Sequence, residues 1–93
     1  MISYLVCYDV EDDRERLRVA RLLERSGQRV QYSVFELHIA RRSQLQELQR
    51  GLRAILGEQS DAVRFYRLTV DGLADSACLD GSPVGRRDLV VIV

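Results

Sequence analysis

The sequence predicts an α+β fold in which one antiparallel sheet carries its helices on a single face. Three observations predict it. Apolar or alternating runs at 4–8, 28–39 and 62–70 suit a pleated, half-buried surface and read as strands. Stretches at 12–26 and 43–56 repeat their apolar residues at spacings of three and four, and read as helices. A further apolar run at 89–93 reads as a terminal strand. The order is therefore strand, helix, strand, strand, helix, strand, plus a tail strand. That is the ferredoxin-like β-α-β-β-α-β pattern with an extra C-terminal strand. At 93 residues the chain has room for one small domain, 1–93, of which 70–93 is the tail.

The first strand runs Tyr4-Leu5-Val6-Cys7-Tyr8 and meets a carboxylate, Asp9, where it leaves the sheet. A carboxylate inside a central strand would be costly without partners. At the strand's end, Asp9 either opens a turn or faces solvent, a metal or a partner chain. Glu11, Asp12 and Asp13 then lead into the first helix, where Asp12 or Asp13 is placed to cap it. Gly27 sits where a left-handed cap would end that helix. On the helical wheel Arg14, Arg18, Arg21 and Arg25 form one stripe, opposite Val19, Ala20 and Leu23. The stripe is either a solvated face or a contact for a phosphate backbone. Arg16 falls on the inward side of the first turn, near Asp9. It is either a structural ion pair or part of a site.

Between 28 and 39 the alternation slips phase. Val30, Tyr32 and Val34 share one phase, and Phe35, Leu37 and Ile39 the other. A regular strand cannot change phase without changing faces, so two strands, 28–32 and 33–39, meet at a bulge or tight turn. His38 lies on the polar phase and reads as a surface residue. Arg41 and Arg42 precede the second helix, close to an amino end that favours anions. Ser43 with Gln46 matches a capping box. Leu45, Leu48, Leu52, Ile55 and Leu56 form its apolar face, and Gly57 ends it. After the strand at 62–70 the pattern loses regularity. Asp71-Gly72, Asp80-Gly81 and Ser82-Pro83 favour turns, with a brief strand at 77–79.

Composition excludes several classes. Formal net charge is zero, so bulk charge does not mark a nucleic-acid binder. All 14 cationic residues are arginine, the side chain that forks onto phosphate oxygens. Cys7 and Cys78 form neither a disulfide framework nor metal spacing. The first strand begins almost at Met1 and no apolar run approaches a membrane span, so a cytoplasmic protein is expected. No phosphate-binding loop or glycine-rich nucleotide fingerprint is present.

Two stretches carry a resemblance. One is Tyr8-Asp9-Val10 with Asp12-Asp13, Arg16, Arg18 and Val19. The other is Gly27 followed by Arg29-Val30-Gln31-Tyr32-Ser33-Val34-Phe35-Glu36. Together they resemble the CRISPR-associated Cas2 family of spacer acquisition. The resemblance implies a ferredoxin-like homodimer with sheets packed face to face and the tail strand joining the subunits. It implies that Asp9 is the metal-binding, catalytic carboxylate, meeting its symmetry mate near the dimer axis. One Mg2+ would then be shared by both copies. It assigns Tyr8, Arg16, Arg18, Arg29, Ser33 and Phe35 to the site or its support. Two activities are implied. One is a metal-dependent endonuclease on single-stranded RNA or duplex DNA. The other is a non-catalytic adaptor that carries duplex DNA between copies of the Cas1 integrase. In that second role Arg14, Arg18, Arg21, Arg25, Arg41 and Arg42 are the candidates that grip the backbone. A toxin-type RNase on the same fold is the outside alternative.

Overall fold

The computed structural model describes residues 1–84. Its elements are β1 (Ile2–Tyr8), α1 (Asp13–Glu24), β2 (Gly27–Gln31), β3 (Val34–Ile39), α2 (Arg42–Leu56), β4 (Val63–Leu68) and α3 (Val70–Asp75), with a 3-10 turn at Gly57–Ala62. The four strands lie in the order β2-β3-β1-β4, every neighbouring pair antiparallel. This is the predicted ferredoxin-like arrangement. The tail strand expected at 89–93 lies outside the described residues.

Register explains the two faces of the sheet. Tyr4, Val6 and Ile2 on β1 pair with Leu37, Phe35 and Ile39 on β3, and Val6 pairs with Phe65 on β4. Side chains alternate along a strand, so these residues share the face met by the helices. Val19, Ala20 and Leu23 of α1 and Leu45, Leu48, Leu52 and Leu56 of α2 close the core over them. Val6, Leu23, Phe35, Leu37 and Ile39 are fully buried. Each such leucine contributes about 1.5–3 kcal/mol of burial. On the opposite face Leu5, Cys7, Val34 and Leu68 are only half-buried. Tyr66, opposite Leu5, is 48% exposed.

The predicted phase slip is a hairpin. Tyr32 and Ser33 turn the chain between β2 and β3, Ser33 at φ 61°, and the register shifts between Arg29 and Gln31. Asp12 caps α1 as expected, its carboxylate accepting from the Glu15 N–H at 2.9 Å.

Several expectations are corrected. Helix α1 ends at Glu24, and its last turn closes through Arg25 N–H to the Leu22 carbonyl. Gly27 is not its cap. Gly27 is the first residue of β2, so close to β3 that a Cβ would lie 2.0 Å from the Glu36 carbonyl oxygen. Ser43 and Gln46 form no capping box. Instead Arg41 is the cap residue with no side-chain bond, and the Gln44 amide oxygen accepts from the Ala40 N–H at 2.9 Å. Gln44 reaches back because the chain turns there directly from β3. The irregular stretch begins with a helix, α3, since the Thr69 hydroxyl accepts from Gly72 N–H and absorbs the Asp71-Gly72 turn signal into a first helical turn. The brief strand at 77–79 reduces to one bridge, Ala77 with Pro83. His38 is half-buried rather than at the surface, its Nδ1 3.1 Å from the Ser3 hydroxyl across the strand pair.

Candidate functional site

Asp9 lies one step past β1, and its N–H donates to the Ala62 carbonyl at 3.0 Å, tying it to the start of β4. Ser3, Leu5 and Cys7 alternate onto the sheet face away from the helices, and Asp9 follows them in phase. Asp9 is exposed, and its carboxylate has no hydrogen-bond or ion-pair partner among the described residues. A carboxylate left open in this way suits a hard cation, which prefers oxygen ligands. It supplies one such ligand. Among the described residues no group of three or more His, Cys, Asp or Glu side chains is placed to hold a metal ion. Within the described residues of one chain, Asp9 therefore offers a single carboxylate.

Arg16 is beside this strand end but does not pair with Asp9, contrary to the ion pair considered from the sequence. Its guanidinium donates to the Val10 carbonyl at 2.9 Å and the Glu11 carbonyl at 3.3 Å, and pairs with the Asp13 carboxylate. The reason is local. The loop Val10-Glu11 wraps the first turn of α1 and offers two acceptors to an inward side chain. Asp13, and less strongly Tyr32, hold the Arg16 guanidinium more firmly in its charged form. Asp9 is thereby left without a neutralising partner.

The hairpin completes this end of the sheet. The Tyr8 N–H donates to the Ser33 carbonyl at 3.1 Å. Tyr8 is buried and stacks on Phe35, with ring centroids 6.2 Å apart and planes at 28°. Burial pushes the Tyr8 phenol above its ordinary 10.0, although Arg29 and the Ser33 hydroxyl pull the other way. Phe35 is a core residue that sets the Tyr8 ring. The Arg29 guanidinium is 5.3 Å from the centre of the Tyr32 ring, and Arg16 is 5.8 Å from it. Tyr8, Arg16, Arg29, Ser33 and Phe35 thus lie at the end of the sheet where β1 passes into Asp9. Arg18 does not: it is exposed with Arg14, Arg21 and Arg25 on the outer side of α1.

Sequence reasoning missed two residues here. Tyr32 was read as part of an alternating run and of the resembling stretch but given no role, and its signal was an aromatic ring at a turn. Arg64 pairs in register with Cys7 and donates to the Tyr66 hydroxyl at 3.3 Å. It therefore presents a cation on Asp9's side of the sheet, and strand parity was its signal.

Arg41 and Arg42 occupy the other end. Because β3 runs antiparallel to β1, its end at Ile39 lies beside Ile2, away from Asp9. The end of α1 comes to the same place, where the Gln44 amide meets the Ser26 hydroxyl at 3.4 Å. Arg25, Arg41 and Arg42 are exposed there and form no ion pair among the described residues. A cavity of about 150 Å³ lies between α2 and β4, walled by Leu52, Leu56, Val63 and Phe65. It contains no carboxylate and takes no part in this site. No helix among the described residues is long and apolar enough to cross a membrane.

A profile of the family described as CRISPR associated protein Cas2 matches residues 1–75. The chain belongs to the Cas2 family. It is 49% identical over 69 residues, 74% of each chain, to CRISPR-associated endoribonuclease Cas2 3 of Synechocystis sp.. It is 44% identical over 63 residues, 68% of this chain and 69% of the other, to CRISPR-associated endonuclease Cas2 2 of Thermus thermophilus. Among solved structures it superposes on a chain of a partial Cas6-RT-Cas1–Cas2 complex with a TM-score of 0.80 and 36% identity. That match covers 92% of this chain and 93% of the other. Streptococcus pyogenes Cas2 at pH 6.5 superposes with a TM-score of 0.69 and 36% identity, over 83% and 98% of the two chains. Cas2 membership agrees with the strand end, hairpin and helix start that carried the sequence resemblance.

Proposed function

We propose that this Cas2-family chain is a cytoplasmic, metal-dependent endonuclease of CRISPR spacer acquisition, working as a homodimer with Asp9 as its catalytic carboxylate. The observation that carries this is the exposed Asp9 carboxylate at the end of β1, which has no ion-pair partner among the described residues. A second copy covering the half-buried face of Leu5, Cys7, Val34 and Leu68 would bring a second Asp9 to the first. Paired Asp9 carboxylates would hold one Mg2+, which supplies an activated water and shields charge on a phosphodiester when bound. Arg16, fixed by Asp13 and two carbonyls, keeps a positive charge at this end of the sheet. Arg29 and Arg64 add cations that an RNA or DNA backbone would meet.

The relatives' names, endoribonuclease and endonuclease, support the activity class. The experiment is cleavage of single-stranded RNA and duplex DNA by the purified chain, with Mg2+ or with EDTA, repeated for Asp9→Asn. Cleavage that needs Mg2+ and disappears in the variant is the expected result. Cleavage that survives in Asp9→Asn removes Asp9 from the chemistry.

A second reading has its own observation. Arg14, Arg18, Arg21, Arg25, Arg41 and Arg42 are exposed without ion pairs among the described residues, and the chain superposes on one from a complex containing Cas1. The chain would then be an adaptor that binds duplex DNA and a Cas1 integrase. Spacer acquisition that tolerates Asp9→Asn but fails when those arginines are replaced would favour it.

A further inference from the structure

We propose that Tyr32 is a positioning residue that holds the Arg29 guanidinium, with Arg16 beside it, as a seat for a phosphate group of a nucleic-acid backbone. The proposal rests on the nucleic-acid reading above and adds a residue to it. Tyr32 is 68% exposed, so its ring contributes little to the core. Yet two guanidiniums converge on it, at 5.3 and 5.8 Å. Like charges drawn to one ring repel each other, and the negative ring face offsets only part of that. The Arg16 charge is already matched by Asp13 and by the carbonyls of Val10 and Glu11. Arg29 has no carboxylate partner among the described residues. One positive charge therefore stands unmatched at the hairpin tip, with its planar fork still available. A phosphate is the anion whose oxygens fit that fork.

The seat is also fixed in place. Ser33, at φ 61°, sets the turn, and its carbonyl accepts from the Tyr8 N–H next to Asp9. The ring thus restricts Arg29 before any ligand arrives, which lowers the ordering cost of binding. The sequence placed Arg29 in the site only by resemblance. The structure gives it a holder.

The test is fluorescence anisotropy on a labelled single-stranded RNA and a labelled DNA duplex across a salt series. The proteins are wild type, Tyr32→Leu, Tyr32→Phe, Arg29→Gln and the Tyr32→Leu/Arg29→Gln double variant. Tyr32→Leu is expected to weaken binding on the order of fivefold. It should also flatten the salt slope on duplex DNA by about 0.9, the value of one phosphate contact. Tyr32→Phe, which keeps the ring, should bind nearly as wild type. Adding Tyr32→Leu to Arg29→Gln should change nothing more. Wild-type affinity in Tyr32→Leu overturns the proposal, as do a Tyr32→Phe loss equal to that of Tyr32→Leu or additive losses in the double variant. Failure of the wild type to bind either probe overturns the function itself and the seat with it. An independent reading needs no nucleic acid. The Arg29 side-chain N–H resonance should be displaced by the ring current in wild type and Tyr32→Phe, and return to its ordinary position in Tyr32→Leu with the thermal midpoint unchanged. An ordinary position in the wild type contradicts the proposal.

Discussion

The two ends of the sheet use arginine in opposite ways. At the Asp9 end, Arg16 is fixed by three acceptors and Arg29 leans on an aromatic ring. At the far end, Arg25, Arg41 and Arg42 are exposed without ion pairs among the described residues. Held charges can act on one group of atoms, which is what stabilising a reacting phosphate requires. Loose charges follow a backbone without choosing a position on it, and they lose affinity as salt rises. On the proposed function, the Asp9 end would do chemistry on a seated phosphate and the far end would only grip, although both draw on the same residue type.

The largest effect comes from breaking both ends together. Gly27 lets β2 approach β3, and a Cβ there would meet the Glu36 carbonyl oxygen at 2.0 Å. Backbone cannot swing aside as a side chain does. Gly27→Ala is expected to cost about 3 kcal/mol or more, which is roughly 12 °C or more in thermal midpoint for a domain of this size. Calorimetry checks it. A wild-type midpoint would mean the hairpin sits less closely than described, and the contrast between the ends would lose its frame.

Next, the ends should separate by kind of defect. Asp9→Asn should lower cleavage on the order of 100-fold or more while nucleic-acid affinity stays near wild type. Arg41→Gln with Arg42→Gln should do the reverse. The salt slope on duplex DNA should fall by about 0.9 for each arginine, with the rate at saturating nucleic acid unchanged. Kinetics at saturation together with a salt series read both. Equal losses of rate and affinity in the two variants would erase the distinction.

The smallest effect is one of pH and belongs to the Asp9 end alone. Burial raises the Tyr8 phenol above its ordinary 10.0 in the folded state. The folded chain therefore keeps that proton longer than the unfolded chain does. Stability from this group is complete below pH 10 and is lost as pH rises from there through the folded value. Denaturant midpoints across that alkaline range should fall, and less steeply in Tyr8→Phe. A slope identical in both proteins would show that Tyr8 does not carry it.

Much of the fold was readable because its signals are local. A continuous uncharged run marked β1, alternation marked both hairpin strands, the phase slip marked the turn, and Asp12 with Asp13 marked the start of α1. What escaped depends on partners distant in sequence or on competing local signals. Gly27 stands where a helix cap belongs, and only the backbone of Glu36 shows why a glycine is needed. Asp71-Gly72 reads as a turn until the Thr69 cap makes it a helix start. At the site, a helical wheel placed Arg16 inward but could not say which acceptors it would find. Asp9 drew attention from its strand end and took a role only through resemblance. Tyr32 was invisible as a holder because its two arginines come from separate elements, α1 and β2.

Metal stoichiometry tests the central claim most directly. Calorimetric titration of the purified chain with Mg2+, or with Mn2+ followed by electron paramagnetic resonance, counts ions per chain. The account predicts one ion for every two chains and none for Asp9→Asn. One ion bound to each chain, or binding unchanged in Asp9→Asn, would contradict a carboxylate pair shared between two copies.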